Sequence, residues 1–422
     1  MTAPAPEPAD RHAVQPPHVL DPAARDRAAE DAALRARGSV TRVDVLGEEV
    51  WAITDPVLLK RLLLDGRVSK DSRRHWDRFP EHTTDWPLVL WVAVESMFTA
   101  YGPEHRRLRR LIAPVFTART VNALAPDIER FARELLDDLA TTPPGGTADL
   151  RERFANPLPL RVIGRLMGLP ERMVPDFRRV VDGVFATAVT AAEAAANTRD
   201  LYRTVEELIA LKRERPGDDL TSRLIAARDT EGDGQGLSEK ECGEMLLLII
   251  SAGYETTVNL IDQAVVALLT HPGERAAARA GTVSWGDVVE ETLRWQAPVP
   301  LLPMRYAIED IELPGGTVVR RGQAILAAYS AANRHPGLHG PTAGEFDPAR
   351  ADKSHLSFGH GVHVCLGAPL ARLEATIALR LLDERFPRLA LAVPPGDLVP
   401  LPSFLANGHR SVPVVLEPGA PA

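Results

Sequence analysis

A ten-residue stretch near the C-terminus, FGHGVHVCLG at residues 358–367, constrains this chain more than any other. Its three glycines tolerate positive φ, so the backbone can curl tightly and turn several N–H groups inward. Cys365 stands near its end, and apolar residues recur at helical spacing from Leu366 to Leu381. A helix N-terminus favours a thiolate. The stretch therefore predicts a loop that presents one thiolate, although a lone cysteine is also typical of a small buried apolar residue.

The composition is that of a soluble globular protein. Of the 422 residues, 45% are hydrophobic and 25% are charged, with a formal net charge of -8, which does not favour nucleic-acid binding. The two cysteines, Cys242 and Cys365, lie far apart, so a disulfide framework and a cysteine-rich zinc site are excluded. No internal stretch has the composition of a linker, and we expect a single domain over residues 18–422.

The N-terminal segment, residues 1–17, is rich in alanine, proline and charge and lacks the apolar core of a signal peptide. We predict a disordered tail there. The longest strongly apolar run in the rest of the chain, at residues 245–250, falls far short of the roughly 20 residues that cross a bilayer. The expected location is therefore the cytoplasm, without a membrane anchor.

Local patterns predict a mainly α fold with a small β region. Alternating apolar residues from Ser39 to Thr54, broken by Gly47, predict a hairpin of two strands, and a helix follows over Asp55 to Leu64. Strand-like pieces recur between residues 305 and 328. The segment from Trp76 to Val94 has several tryptophans and no clean period, which predicts a loop over a cavity.

The longest predicted helix begins at a capping box of Ser238 and Glu241 and continues to about Leu269. It is apolar on nearly all sides, which is typical of a helix buried in the core of a large domain. The stretch AGYETT at residues 252–257 interrupts it, and a local opening at Gly253 is expected. The carboxylate and hydroxyl of this stretch are typical of a satisfied buried polar pair, because buried polar groups usually find partners.

The C-terminal stretch matches the pattern Phe-Gly-x-Gly-x-His-x-Cys-x-Gly at every fixed position, and with this motif the chain resembles the cytochromes P450. The resemblance implies a mainly α P450 fold, in which a large helical domain carries a small β subdomain and one haem b. It implies Cys365 as the axial ligand of the haem iron. His105 and Arg109, four residues apart on one helical face, would grip the haem propionates. The cofactor contacts implied by the family motifs are His105, Arg109, Ala252, Gly253, Arg305, Phe358, Gly359, His363 and Gly367.

The same resemblance assigns roles to two polar pairs. In the long helix, Glu255 would lead protons inward and Thr256 would hold the group that receives them, while the small neighbouring residues leave room for O2. Glu291 and Arg294 match the family's Glu-x-x-Arg pair, which is buried beneath the haem loop and structural. We therefore expect the first pair to be catalytic and the second to support the fold.

The activity implied by the family is insertion of one oxygen atom of O2 into a C–H bond. A ferredoxin and an NAD(P)H-dependent ferredoxin reductase would deliver the electrons, since the sequence contains no visible flavin or nicotinamide site. Arg106, Arg107 and Arg110 point away from the implied propionate contacts and could form a positive patch for an acidic ferredoxin. We expect a monomer that binds neither nucleic acid nor a membrane.

The substrate is expected to be a large hydrophobic molecule. Residues at the family's substrate positions are mostly apolar: Leu90, Val92, Met97, Val299, Leu302, Phe404 and Leu405. The segments 97–103 and 252–254 resemble an actinobacterial subgroup that includes steroid hydroxylases and macrolide-tailoring enzymes, and we favour steroid hydroxylation. Two alternatives stay open: another oxidation, such as macrolide tailoring or aryl coupling, and a haem protein that only senses or scavenges a ligand. Glu255 and Thr256 argue against the second, because binding alone needs no proton relay.

Overall fold

The structure, a computed structural model, describes residues 16–417 except residues 82, 84 and 227–236. The predicted disordered tail, residues 1–17, lies outside the described part apart from its last two residues. The described chain is mainly helical. Its α-helices are α1 (Arg27–Ala36), α2 (Pro56–Leu64), α3 (Ser72–His75), α4 (Val89–Ala93), α5 (Gly102–Ile112), α6 (Ala118–Asn122), α7 (Ala125–Leu139), α8 (Pro157–Met167), α9 (Val174–Val184), α10 (Ala191–Glu214), α11 (Leu220–Ala226), α12 (Glu239–Ala252), α13 (Glu255–Thr270), α14 (Pro272–Arg279), α15 (Trp285–Trp295), α16 (Tyr329–Asn333), α17 (Pro336–His339) and α18 (Ala368–Arg385).

Within the described residues, three small sheets accompany the helices. Their strands are β1 (His18–Val19), β2 (Val40–Val45), β3 (Glu48–Ile53), β4 (Val68–Ser69), β5 (Thr147–Asp149), β6 (Leu301–Ala307), β7 (Ile311–Glu312), β8 (Val318–Val319), β9 (Ala324–Ala328), β10 (Ala390–Leu391) and β11 (Pro413–Val415). The largest sheet has the order β1-β2-β3-β9-β6-β4, and the other two have the orders β10-β11-β5 and β7-β8. This arrangement confirms the prediction of a large helical body with a small β region.

Local sequence signals account for the elements around the largest sheet. β2 and β3 pair antiparallel, and Leu46 and Gly47 turn the hairpin with positive φ, which confirms the predicted hairpin. Asp55 caps α2 by accepting the N–H of Leu58 at 2.7 Å. β3 then pairs with β9, and β9 pairs with β6. The hairpin thereby fixes the strand β6, which carries Arg305 toward the interior.

The predicted long helix is two helices, α12 and α13, which meet at Gly253 and Tyr254. The predicted capping box begins α12. A Cβ on Gly253 would lie 2.8 Å from both Ile163 Cδ1 and the Ile249 carbonyl oxygen, so only glycine fits at this junction without a shift of its neighbours. The opening predicted at Gly253 is confirmed.

The two central helices lie in the main hydrophobic core. Together they make one segment, Glu239–Thr270, that is long and apolar enough to cross a membrane by length and composition alone. The strongly apolar run at residues 245–250 is only part of this segment. In the fold, 78% of its most apolar window is buried inside the protein, since α12 packs on α10 while α13 packs on α15 and α18. Its apolar pattern is therefore that of a buried core helix.

Candidate active site

Cys365 lies at the end of a tight loop, and hydrogen bonds hold this loop closed. Its N–H donates to the Phe358 carbonyl at 2.9 Å, and the N–H groups of Gly367 and Ala368 donate to its sulfur. α18 begins at Ala368, so the sulfur lies at a helix N-terminus. On balance the pKa of the Cys365 thiol is raised by burial, although these N–H donors and the Arg109 guanidinium act to lower it. The residue is nevertheless exposed, so the loop presents the sulfur and also supplies donors that favour its thiolate form.

Two glycines give this loop its shape. Gly359 and Gly361 have φ of 70° and 75°, in the left-handed region that other residues avoid. A Cβ on Gly361 would lie 2.5 Å from the Leu63 carbonyl oxygen, so the loop also approaches α2 too closely for a side chain. Gly367 differs from the expectation, because its φ is -77°. A Cβ there would lie 3.8 Å from the sulfur of Cys365, an ordinary contact, so positive φ explains only two of the three glycines.

Basic side chains from separate segments converge beside the loop. His105 on α5 and His363 in the loop have ring centroids 4.0 Å apart. Lys70 directly follows β4, and Arg305 lies on β6. Among the described residues, Lys70 Nζ, His105 Nε2 and Arg305 Nη1 are buried nitrogen atoms without a hydrogen-bond partner. We name Lys70, His105, Arg305 and His363 the basic cluster.

The charged groups that perturb the basic cluster are themselves basic. Burial and neighbouring guanidinium groups lower the pKa of His105 to about 4. Burial, then Lys70, His105 and Arg305, lower the pKa of His363. Burial and Arg305 also hold the pKa of Lys70 well below its ordinary value. A ligand with two carboxylates would neutralise and hydrogen-bond these groups, so they fit the propionates of haem.

Arg109 contacts the loop itself. Its Nη2 donates to the Val364 carbonyl at 2.8 Å, one residue before the cysteine. The spacing of four residues therefore places His105 in the basic cluster and Arg109 at the loop backbone. Sequence reasoning missed Lys70, because it belongs to no motif. Only its position in the fold distinguishes it: it is 3% exposed, with Nζ 3.6 Å from the centroid of the Phe98 ring.

Phe358 joins the loop to the helices beneath it. Its ring centroid lies 4.6 Å from the guanidinium carbon of Arg372, a residue of α18. Arg372 in turn donates to Glu290 of α15 at 2.5 Å. The aromatic residue that begins the motif thus packs against a pair that links α18 to α15.

Glu291 and Arg294 form a fully buried pair on α15. Both side chains are 0% exposed, and Arg294 donates to both carboxylate oxygens of Glu291 at 2.7 Å. Arg294 also donates to the carbonyls of Ala343 and Glu345, and Glu291 accepts the N–H of Asp347 at 2.9 Å. The structure therefore places the pair where it fastens the segment at residues 343–347 to α15.

An apolar cavity lies beside the junction of α12 and α13. Three of the predicted substrate residues line it, namely Leu90, Val299 and Leu302, and so do Ala252 and Thr256. The predicted loop over a cavity is confirmed for the part that carries Leu90, although the short helix α4 lies within it. Trp91 and Val94 of the same predicted segment also line the cavity, whereas sequence reasoning missed the remaining walls, namely Ser96, Phe98, Val184, Phe185, Leu247, Leu248 and Ser251.

Four predicted substrate residues do not line this cavity. Val92 is 2% exposed and lines a separate cavity with several charged walls. Met97 packs against the core, and its N–H lies 3.2 Å from the Met245 sulfur. Phe404 and Leu405 are 1% and 0% exposed within the main core. Val92 and Met97 are close in sequence to cavity residues, whereas Phe404 and Leu405 belong to a segment that contributes no wall to this cavity.

The two residues of the predicted proton relay have different surroundings. Thr256 lines the cavity, and its Oγ1 donates to the Ala252 carbonyl at 2.9 Å, the backward bond expected of a threonine inside a helix. Glu255 is 4% exposed and accepts from Arg151 Nη2 at 2.9 Å. Burial raises the pKa of Glu255 to about 7, although Arg151 acts to lower it. The acid is therefore held by an arginine that lies more than a hundred residues earlier, in the π-helical turn Arg151–Ala155, and that no sequence motif revealed.

Comparison with known proteins agrees with this geometry. A family model described as Cytochrome P450 matches residues 286–395. The 2-hydroxy-5-methyl-1-naphthoate 7-hydroxylase of Streptomyces carzinostaticus is 39% identical, over 96% of this chain and 99% of its own length. The structure of CYP154A1 from Streptomyces coelicolor A3(2) is 56% identical, with a TM-score of 0.91 over 95% of this chain and 100% of that one. Testosterone-bound CYP154C4 from Streptomyces sp. ATCC 11861 is 40% identical, with a TM-score of 0.91 over 96% and 99% of the two chains.

These relatives match nearly the full length of the chain at identities well above those that only a shared fold would give. The fold, the cysteine loop and the basic cluster beside it are consistent with the same family. The chain belongs to the cytochrome P450 family and is a haem b-dependent monooxygenase.

Proposed function

We propose that Cys365 ligates the haem iron and that the basic cluster of Lys70, His105, Arg305 and His363 holds the haem propionates. Bound haem supplies the activation of O2 and its transfer to carbon. The loop keeps the thiolate in place through backbone donors at the start of α18. The observation that carries the proposal is the set of buried, unpartnered nitrogen atoms beside that loop, because carboxylates would satisfy them.

Glu255 and Thr256 are the residues we propose for proton delivery. Thr256 Oγ1 already lies at the cavity, where its hydroxyl can turn from the Ala252 carbonyl to hold a water molecule. The buried Glu255 carboxylate is hydrogen-bonded to Arg151, and it would turn away from the arginine to pass a proton to that water. A carboxyl with a pKa near 7 suits this role, since it takes up and releases a proton at neutral pH.

The proposed substrate is a steroid, and the proposed reaction is its hydroxylation. Two observations support this choice. The cavity beside Thr256 has walls that are almost entirely aliphatic or aromatic, as a large apolar polycycle requires. The testosterone-bound relative also matches this chain over 96% of its length.

The proposed partner is an acidic ferredoxin that docks on α5 and is served by an NAD(P)H-dependent reductase. Arg106 and Arg110 are exposed on this helix. Arg107 departs from the expected patch, because it donates to Glu104 at 2.8 Å and also pairs with Glu241. Docking would therefore depend on Arg106 more than on Arg107. We also propose that the protein acts in the cytoplasm as a single-domain monomer.

Spectroscopy of the reduced, carbon monoxide-bound protein tests the ligation. The chain has two cysteines, so Cys242→Ser is a matched control for Cys365→Ser. We expect the red-shifted Soret band of a thiolate ligand in the wild type and in the control, and its loss in Cys365→Ser. A red-shifted band that survives in Cys365→Ser would remove this residue from the iron.

A spin-state titration of the ferric protein tests the substrate. Testosterone and a macrolide aglycone are added separately, and products are then analysed with a surrogate ferredoxin and reductase. We expect a saturable low-to-high-spin shift and a hydroxylated product with testosterone. No shift with testosterone but a shift with the macrolide would replace steroid hydroxylation with antibiotic tailoring.

A further inference from the structure

A buried ion network surrounds the carboxylate of Glu255. Arg151 Nη2 donates to Glu255 at 2.9 Å, while Arg151 Nη1 donates to Asp262 at 2.8 Å and to Asn259 Oδ1 at 3.0 Å. Asp262 is 0% exposed and lies on α13, two turns after Glu255. Its other oxygen accepts from His409 Nδ1 at 2.6 Å, and the His409 N–H lies 3.0 Å from the oxygen that Arg151 contacts.

The network contains two carboxylates and one guanidinium. A single positive charge cannot fully neutralise both Glu255 and Asp262, so the two acids compete for Arg151. The ionised form of Asp262 is stabilised more than that of Glu255, because Asp262 accepts two further hydrogen bonds from His409. The His409 side chain is 15% exposed and reaches the protein surface. Hydrogen bonds to the charged form of an acid stabilise that form.

The charges around each acid agree with this order. Burial acts to raise the pKa of Asp262, but His409 and Arg151 lower it below its ordinary value. For Glu255, burial raises the pKa to about 7 and Asp182 on α9 adds to the effect, whereas Arg151 and Asn259 oppose it. Asp262 is thus the stable anion of the pair, and Glu255 is the member that binds a proton near neutral pH.

Two more ionisable groups face this region. The Tyr254 hydroxyl donates to Asn156, and burial raises the pKa of Tyr254. Arg178 lies 3.8 Å from Asp182 and also pairs with Glu152. Neither Tyr254 nor Arg178 contacts Asp262, so replacing Asp262 leaves their own contacts in place.

We propose that Asp262 is a positioning residue for proton delivery: by sharing Arg151, it keeps Glu255 able to bind a proton and to leave the arginine. When Glu255 turns toward Thr256, Arg151 keeps a carboxylate partner and is not left as an unpaired buried charge. The proton reaches Glu255 from solvent and passes to the water held at Thr256, so Asp262 itself gains and loses no proton. The inference deepens the role proposed for Glu255 and rests on that role.

Removing the negative charge of Asp262 has a defined sign. In Asp262→Asn, a like charge near Glu255 disappears and Arg151 pairs with Glu255 alone. Both changes favour ionised Glu255 and lower its pKa. Glu255 then stays ionised and bound to Arg151 at neutral pH.

Infrared titration of the ferric holoenzyme tests this without turnover. The carboxylic-acid band of Glu255 is identified as the band that Glu255→Gln removes, and its pH midpoint is measured. We expect the midpoint in Asp262→Asn to fall below the wild-type midpoint, and Asp262→Glu to restore it. The matched control is Glu244→Gln, which removes a buried carboxylate of α12 that accepts from the Tyr202 hydroxyl and does not contact Arg151. An unchanged midpoint in Asp262→Asn overturns the proposal.

A second variant covers the case in which Asp262→Asn does not fold. His409→Phe removes one donor from Asp262, so Asp262 draws more strongly on Arg151 and the Glu255 midpoint should rise. A fall in this variant contradicts the competition. Turnover then separates this inference from the proposed relay. At neutral pH, Asp262→Asn should lose product per NAD(P)H, and product should recover at a pH below the shifted midpoint of Glu255. A shifted midpoint with unchanged coupling at every pH would leave the competition intact but refute Glu255 as the proton donor.

Discussion

Replacing Lys70 with methionine should weaken the hold on haem. The substitution keeps an unbranched side chain of similar length beside Phe98 but removes the ammonium group. Lys70 is 3% exposed and its Nζ has no hydrogen-bond partner within the described protein, so a propionate oxygen would receive a charged hydrogen bond in a dry site. Such bonds contribute about 1.5–3 kcal/mol, which corresponds to roughly 10- to 150-fold in affinity.

Transfer of haem to an excess of apomyoglobin measures this loss. The rate of transfer from Lys70→Met should exceed the wild-type rate by roughly 10-fold or more, while Lys70→Arg should stay near the wild type. Lys60→Met is the matched control. It makes the same chemical change at an exposed lysine of α2, away from the site.

A chemically altered cofactor separates the two explanations of Lys70. If Lys70 binds a propionate, the difference between Lys70→Met and the wild type should vanish when both proteins carry haem dimethyl ester, whose carboxylates are blocked. If Lys70 acts only through its contact with the Phe98 ring, the difference should persist with the ester. Persistence, or an unchanged transfer rate with normal haem, would refute the role of Lys70 in the basic cluster.

Three further substitutions test other parts of the site. Thr256→Ala should keep NAD(P)H oxidation while product falls and hydrogen peroxide rises. The control Thr270→Ala removes a similar backward bond at the end of α13 and should leave coupling unchanged. Equal coupling in both variants would exclude Thr256 from the proton relay. Gly361→Ala should lower the free energy of unfolding by more than about 2 kcal/mol, because position 361 has a positive φ and lies close to the backbone of α2. The control Gly396→Ala, at an open position, should leave the free energy of unfolding almost unchanged in chemical denaturation. Arg294→Met removes the bidentate partner of the buried Glu291 carboxylate, which keeps only the Asp347 N–H and Arg350 at 3.6 Å, and it should cost about 3–5 kcal/mol in the same assay. A loss under about 1 kcal/mol would show that the pair is not a structural support.

The parts of the site that follow from local geometry were predictable from the sequence. The loop before Cys365 needs glycine at fixed positions, and the helix after it has an apolar period that places the sulfur at its start. The opening at Gly253 was likewise predictable, because a glycine in an otherwise apolar helix is visible in the sequence itself. Such features depend on residues that are close in sequence, so spacing is enough to locate them.

The parts that depend on tertiary contacts were not predictable in this way. Arg151 reaches Glu255 from an unrelated segment, and Lys70 reaches the basic cluster from the end of a two-residue strand. Neither has a neighbour in sequence that marks its role. Val92 and Phe404 do not line the apolar cavity for a similar reason, since position along the chain does not decide whether a side chain faces a cavity or the core.

The basic cluster has a consequence for how the chain reaches its folded state. Lys70, His105, Arg305 and His363 belong to segments that are far apart in sequence, so bringing them together costs loop-closure entropy as well as the removal of basic groups from water. A dianionic cofactor that binds only the folded chain offsets that cost in proportion to its free concentration. Haem is then a folding ligand as well as a reagent. A cell that synthesises this polypeptide faster than it supplies haem would accumulate chains that open at this site and are exposed to proteolysis.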